Sequence, residues 1–289
     1  MSSLISSSVG EEQNMLLLLE VAGLQVQIAG RSVLEDLDFR LDRGQFCALI
    51  GENGAGKTTL LRAILGLQPV RQGSIRIQGK PASELRGQIG YVPQKIAFDP
   101  NLPLRTRDLV ELGLKGNRFG FRGFFGNTRS AVAAALAAVD GEGFADQRIG
   151  RLSGGQQQRA VIAHALVRRP PLLLLDEPLA NLDFRSTNTL VQMLGRLVRE
   201  EKITVLVTAH DMNPLLPFLD RLIYLAHGRA AVGDVDTVVQ DGVLSHLYGY
   251  PVTVLRHQGR ILVLPEDPRQ GMETACPAHR EAEHGEPGP

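Results

Sequence analysis

Apolar positions along the chain follow distinct patterns. From Leu16 to Leu41 short apolar runs alternate with polar positions around Ala29-Gly30-Arg31, which predicts antiparallel strands joined by turns. Ser74–Gln78 (SIRIQ) is expected to continue that sheet. Gln45–Ile50 (QFCALI), Leu172–Leu175 and Ile203–Thr208 (ITVLVT) are continuous apolar runs, and the leucine run has the pattern of a strand buried on both faces of a parallel sheet. Gln88–Pro93 (QIGYVP), Arg221–Ala226 (RLIYLA) and Val252–Leu264 are further expected strands, the last following an irregular Gly242–Pro251. Helical spacing marks Thr59–Leu67, Arg107–Leu114, Ser130–Val139 and Ser186–Glu200. Strands and helices in this order predict an α/β fold, with a mainly helical stretch at about 95–168.

Two terminal stretches break the patterning. Residues 1–15 and 266–289 are rich in Ser, Glu, Pro and Gly and are expected to be disordered, leaving 16–265 as the folded domain. No apolar run is long enough to span a bilayer, and the N-terminal residues lack the basic region of a secretory signal. Lys115–Thr128 (KGNRFGFRGFFGNT) is basic, aromatic and glycine-rich; it is either a docking surface or a solvated loop with aromatics tucked against helices.

Charge narrows the classes. The 31 basic and 31 acidic residues cancel, so bulk charge argues for no nucleic-acid partner. Cys47 and Cys276 are too far apart in the sequence to suggest a disulfide framework, in keeping with a reducing cytoplasm. Cys276, His279 and His284 are three possible metal ligands in a tail without a packed scaffold, and they are read as bland, as are His246 and His257.

The chemistry is concentrated at Gly51–Thr59 (GENGAGKTT), between an expected strand and an expected helix. Gly51, Gly56, Lys57 and Thr58 satisfy the phosphate-loop pattern. Glycines at 51, 54 and 56 let successive backbone N–H groups approach a phosphate chain, and a helix N-terminus favours the anion. Lys57 is expected on the β- and γ-phosphates and Thr58 on Mg²⁺, with Asn53, Ala55 and Thr59 completing the loop. Leu172–Pro178 (LLLLDEP) puts Asp176 and Glu177 at the end of a buried strand, where α/β sheets bind ligands. Asp176 is placed to hold Mg²⁺, and Glu177 to polarise an attacking water.

LSGGQ at Leu152–Gln156 completes an ordered set with GENGAGKTT, LLLLDEP and the TAHD containing His210. From Leu16 to Leu264 the chain resembles the ATP-binding-cassette (ABC) ATPases. The resemblance implies a RecA-like core with an antiparallel β-subdomain and a helical subdomain. It also implies ATP and Mg²⁺ as cofactors and a head-to-tail homodimer in which Ser153, Gly154, Gly155 and Gln156 meet the partner's γ-phosphate. Asp183 would communicate between the sites, His210 would hold the γ-phosphate and the water, and Gln94 would approach Mg²⁺ and the water. The usual adenine-stacking aromatic is replaced by Ile28, so weaker or less base-selective nucleotide binding is expected.

The stretch after Gln94 and the C-terminal stretch from Val207 resemble ATPases of zinc, manganese and iron importers. That resemblance implies a membrane permease as partner, an extracytoplasmic metal-binding protein as indirect partner, and a cytoplasmic location on the inner face of the membrane. Gln94 to about Gly126 is the expected permease contact, with Phe119, Phe121, Phe124, Phe125, Arg118 and Arg122 lining it. The rivals are an importer of siderophores, cobalamin or organic nutrients, an exporter, and a soluble non-transport ABC ATPase.

Overall fold

A computed structural model describes residues 16–94, 98–115 and 128–265. The expected permease-contact aromatics at 119–125 and the tail's Cys276, His279 and His284 lie outside them.

Strands β1 (Leu17–Ile28) and β2 (Arg31–Asp42) pair antiparallel across Ala29-Gly30, both at positive φ. The two glycine-flanked strands β3 (Phe46–Gly51) and β4 (Gln72–Ile77) then part company. β4 joins β1 antiparallel and, with β5 (Lys80–Pro81), completes a sheet of order β2-β1-β4-β5. β3 enters a second sheet with β6 (Ile89–Val92), β7 (Leu172–Leu175), β8 (Thr204–Ala209), β9 (Arg221–Ala226) and β10 (Arg229–Gly233). Its order is β10-β9-β3-β8-β7-β6, with every pairing parallel except the β9–β10 hairpin.

The continuous apolar runs follow from this sheet's two covered faces. Leu173 and Leu175 of β7 point into one core with Phe46, Ala48, Val205 and Val207. Leu172 and Leu174 point into another, shared with Leu49, Leu206 and the antiparallel sheet's Leu19, Leu24 and Phe39. With a side-chain period of two and apolar matter on both sides, every position of β7 must be apolar, and all four are buried.

Helix α1 (Lys57–Ile64) leaves β3 through the phosphate loop. Helices α2 (Thr106–Lys115), α3 (Thr128–Ala138) and α4 (Gly154–Leu166) pack on one another between β6 and β7. Helix α5 (Phe184–Arg199) buries Leu190, Met193, Leu194 and Leu197, an i, i+3, i+4, i+7 stripe, and places Arg196 and Arg199 at its negative end. Among the described residues no helix is long and apolar enough to cross a membrane.

The structure corrects the expectation of an irregular Gly242–Pro251. A short helix α6 (Val235–Val238) precedes this stretch, and helix α7 (Asp241–Tyr248) occupies most of it. Leu244 and Tyr248, four apart, bury one face of α7, and Gly249 at φ 76 ends it in the left-handed conformation. After it come β11 (Val252–His257) and β12 (Arg260–Pro265), a two-stranded hairpin turned at Gln258-Gly259, both at positive φ.

Candidate active site

The carboxyl ends of four neighbouring parallel strands, β3, β8, β7 and β6, come together at one edge of the sheet. β3 delivers the phosphate loop. Gly51 has no room for a side chain, since a Cβ there would lie 2.3 Å from the Leu225 carbonyl oxygen on β9. Gly56 adopts φ 108 directly before α1, and a Cβ would meet Leu34 at 2.7 Å. The loop is thereby clamped between β9 and β2, with the N-terminus of α1 beside it. Lys57 is buried and donates to the carbonyls of Gly51 (2.7 Å) and Glu52 (3.1 Å). Burial pulls its ammonium below the ordinary lysine range, with Glu177 and Asp176 acting in opposition.

β7 delivers the acids. Asp176, buried, accepts from the Thr58 hydroxyl at 3.3 Å and from the Thr208 hydroxyl at 2.9 Å. Thr208 also accepts the backbone N–H of Glu177 at 2.7 Å. Glu177 sits at φ 49, the left-handed region that non-glycine residues rarely occupy. Its Oε1 is 2.7 Å from His210 Nε2, at the end of β8, and 3.8 Å from Lys57 Nζ. Gln94, just past β6, donates through Nε2 to Glu177 Oε2. Val33, Asn53, Gly54, Gly56, Lys57, Thr58, Thr59, Gln94 and Glu177 line one open cavity of about 280 Å³.

The oxygen donors of Thr58, Asp176 and Gln94 suit a hard divalent cation that keeps water and phosphate ligands, as Mg²⁺ does. Among the described residues no cluster of three or more His, Cys, Asp or Glu could cage a metal.

The remaining predicted residues lie elsewhere. Ser153 caps α4: its hydroxyl accepts from Gln156 N–H, while Gln156 Oε1 accepts the Ser153 N–H at 3.0 Å. Ser153, Gly155 and Gln156, with Arg159, Arg185, Ser186, Thr189 and Leu190, line a second open cavity of about 500 Å³. The two cavities share no lining residue. Asp183 caps α5, and the backbone N–H and then the hydroxyl of Ser186 hold its carboxyl below the usual range. Ser186 lies against Gly155, so Asp183 is tied to the second cavity rather than the first. Ile28 is exposed at the end of β1 and is absent from the first cavity's lining, where Val33 supplies the apolar wall.

Thr208 is a functional position the sequence analysis passed over. Its signal was a hydroxyl in a fully buried strand, shared with Thr204 at the strand's other end.

A phosphate loop, a basic group, two carboxylates and a histidine at the carboxyl edge of a parallel sheet define a P-loop nucleoside triphosphatase. The chain belongs to the ABC transporter family, whose profile matches residues 34–180, and it is an ATPase of that family. It is 36% identical to the hemin import ATP-binding protein of Streptomyces coelicolor, over 86% of this chain and 90% of that one. It is 35% identical to a zinc uptake system ATP-binding protein of Listeria innocua, over 71% and 81%. Among solved structures, a dimeric ATP-binding cassette in a post-hydrolysis state with ADP and Pi superposes with a TM-score of 0.64 at 28% identity, covering 75% of this chain and 99% of that one.

Proposed function

We propose that this chain is the ATP-hydrolysing subunit of an importer that takes up a divalent transition metal, zinc, manganese or iron, through separate membrane permease subunits. It works on the cytoplasmic face of the membrane, and the cargo reaches the permease from an extracytoplasmic binding protein. The observation that carries the ATPase part is the convergence of Lys57, Thr58, Gln94 and Glu177 on one cavity, with Asp176 bonded to Thr58 and His210 to Glu177. The likeness to the zinc uptake ATPase supports the cargo class. The hemin import relative supports a second reading, in which the cargo is a metal chelate.

The loop glycines and Lys57 hold the triphosphate, and Lys57 exchanges its two carbonyl partners for phosphate oxygens. Thr58, Asp176 and Gln94 would hold Mg²⁺, which would supply neutralisation of phosphate charge. Glu177 orients and deprotonates the attacking water, with His210 fixing the carboxylate and reaching the γ-phosphate. Ser153, Gly154, Gly155 and Gln156 complete the site of a second copy. Separate cavities within one chain, and the dimeric cassette it resembles, support this division. Closure of two chains on two nucleotides then moves the permease.

Uptake of zinc, manganese, iron and hemin, each followed by tracer in cells lacking this chain, tests the proposal. Rescue of one metal ion by the wild type but not by Glu177→Gln is expected. Rescue of hemin alone would establish the chelate reading, and rescue of none would remove both cargo classes.

The exposed Ile28 motivates a separate expectation about the base. Ile28→Tyr should tighten ATP binding and widen the preference for ATP over GTP, because an aromatic ring stacks on a purine and an isoleucine does not. Equal affinities in both proteins would dismiss a role for this position.

A further inference from the structure

His210 leaves β8 exposed, and its ring has one partner among the described side chains, Glu177. What fixes the ring is therefore largely the main chain of the turn that follows it. That turn is held in an unusual way. Asp211 Oδ1 accepts both the backbone N–H of Asn213 (2.9 Å) and its side-chain amide (2.7 Å). The same amide reaches 48 residues along the chain: Asn213 Nδ2 donates to the Ile261 carbonyl at 2.9 Å, and Asn213 Oδ1 accepts the Ile261 N–H at 2.7 Å.

One side-chain amide thus reproduces the double exchange of an antiparallel strand pair on the free edge of β12. A two-stranded ribbon is marginal by itself, so β11–β12 depends on what anchors it. On one side it is tied to the preceding helices, through Val252 N–H to Ser245 (2.9 Å), Val254 N–H to Asp241 (2.7 Å) and Arg256 to Asp236 (2.7 Å). On the other side it is tied to the His210 turn through Asn213. Met212 and Leu215, both buried, keep the turn's backbone on the core, while Asn213 sets its direction against β12.

We infer that Asn213 is a positioning residue for hydrolysis: it splints the His210 turn to the C-terminal hairpin and so holds the imidazole in line with Glu177. The inference rests on the proposed role of His210. Asn213 lines neither cavity and touches no catalytic side chain, so its removal changes the ring's setting rather than the nucleotide's contacts.

Full-length Asn213→Ala, Asn213→Asp and Asn213→Gln test it by steady-state ATP hydrolysis and by the imidazole C–H resonance of His210 without nucleotide, assigned by its disappearance in His210→Gln. Asn213→Ala is expected to lower kcat by about 10- to 100-fold, the scale of a small misplacement of a catalytic group, with the KM for ATP little changed. Asn213→Asp keeps the acceptor for Ile261 but loses the donor and faces Asp211, so it is expected to behave like Ala. Asn213→Gln keeps both donor and acceptor and is expected to recover most of the loss. The His210 resonance should move in the Ala and Asp variants. Unchanged kcat and an unmoved resonance in Asn213→Ala overturn the inference, as does a loss confined to KM. A wild type without hydrolysis would instead defeat the proposed function, and the resonance would still decide the splint.

Discussion

Replacing Glu177 by Gln is expected to slow ATP hydrolysis by about 10²- to 10⁴-fold, the usual contribution of a general base, while ATP still binds. Glutamine preserves shape and can still hydrogen-bond His210 and Gln94, but it cannot take a proton from water. The backbone points to this residue as well. A non-glycine residue at φ 49 costs on the order of 1–3 kcal/mol and persists only where surrounding structure holds it. Here the Thr208 hydroxyl captures its N–H, and His210, Gln94 and Lys57 surround its carboxylate. Phosphate release and calorimetric ATP binding, measured on the same preparation, check the expectation. Turnover within about tenfold of the wild type would place the base elsewhere.

Thr208→Val is expected to have the second-largest effect, although Thr208 touches no nucleotide in the proposed mechanism. One buried hydroxyl donates to Asp176 and accepts from the Glu177 N–H, so it fixes both acids relative to β8. Valine fills nearly the same volume and removes both bonds. Leaving the Glu177 N–H unpaired should cost about 1–3 kcal/mol of stability, visible in denaturant unfolding. Loss of kcat by about 10- to 100-fold should accompany it as the carboxylates lose their setting. Thr208→Ser keeps the hydroxyl and should remain near the wild type in both measurements. A valine variant with wild-type kcat would show that β7 alone sets the acids.

How far the chain was legible depended on whether a residue's partner was local. β7 was legible because a strand covered on both faces admits no polar position, and LLLL has none. The phosphate loop was legible because its chemistry is contiguous: glycines, Lys57 and Thr58 act on one ligand from one turn. Helix α7 was obscured by Gly242 and Gly249, which resemble loop residues until Gly249 is seen to end a helix and Leu244 to be buried. β10 escaped notice although His227-Gly228, both at positive φ, turns it back onto β9. Thr208 was visible as a hydroxyl in ITVLVT, yet its two partners, Glu177 and Asp176, lie just past β7, 31 and 32 positions away. Nothing local marks Asn213, whose partner is 48 positions away on β12. Ser153 to Gln156 are the opposite case. The motif was plain, but its cavity stands apart from the phosphate loop, and only a second copy supplies the other half of the proposed site.

The proposed division would make hydrolysis a property of two chains, and the concentration dependence of turnover is its most direct measurement. ATP turnover per chain is to be followed as the purified full chain is diluted, with the mass of the Glu177→Gln protein recorded with and without ATP. Turnover per chain that falls on dilution, together with an ATP-dependent doubling of mass that Ser153→Arg abolishes, is the predicted result. Constant turnover per chain from a protein that stays monomeric with ATP bound would contradict a site completed by a second copy.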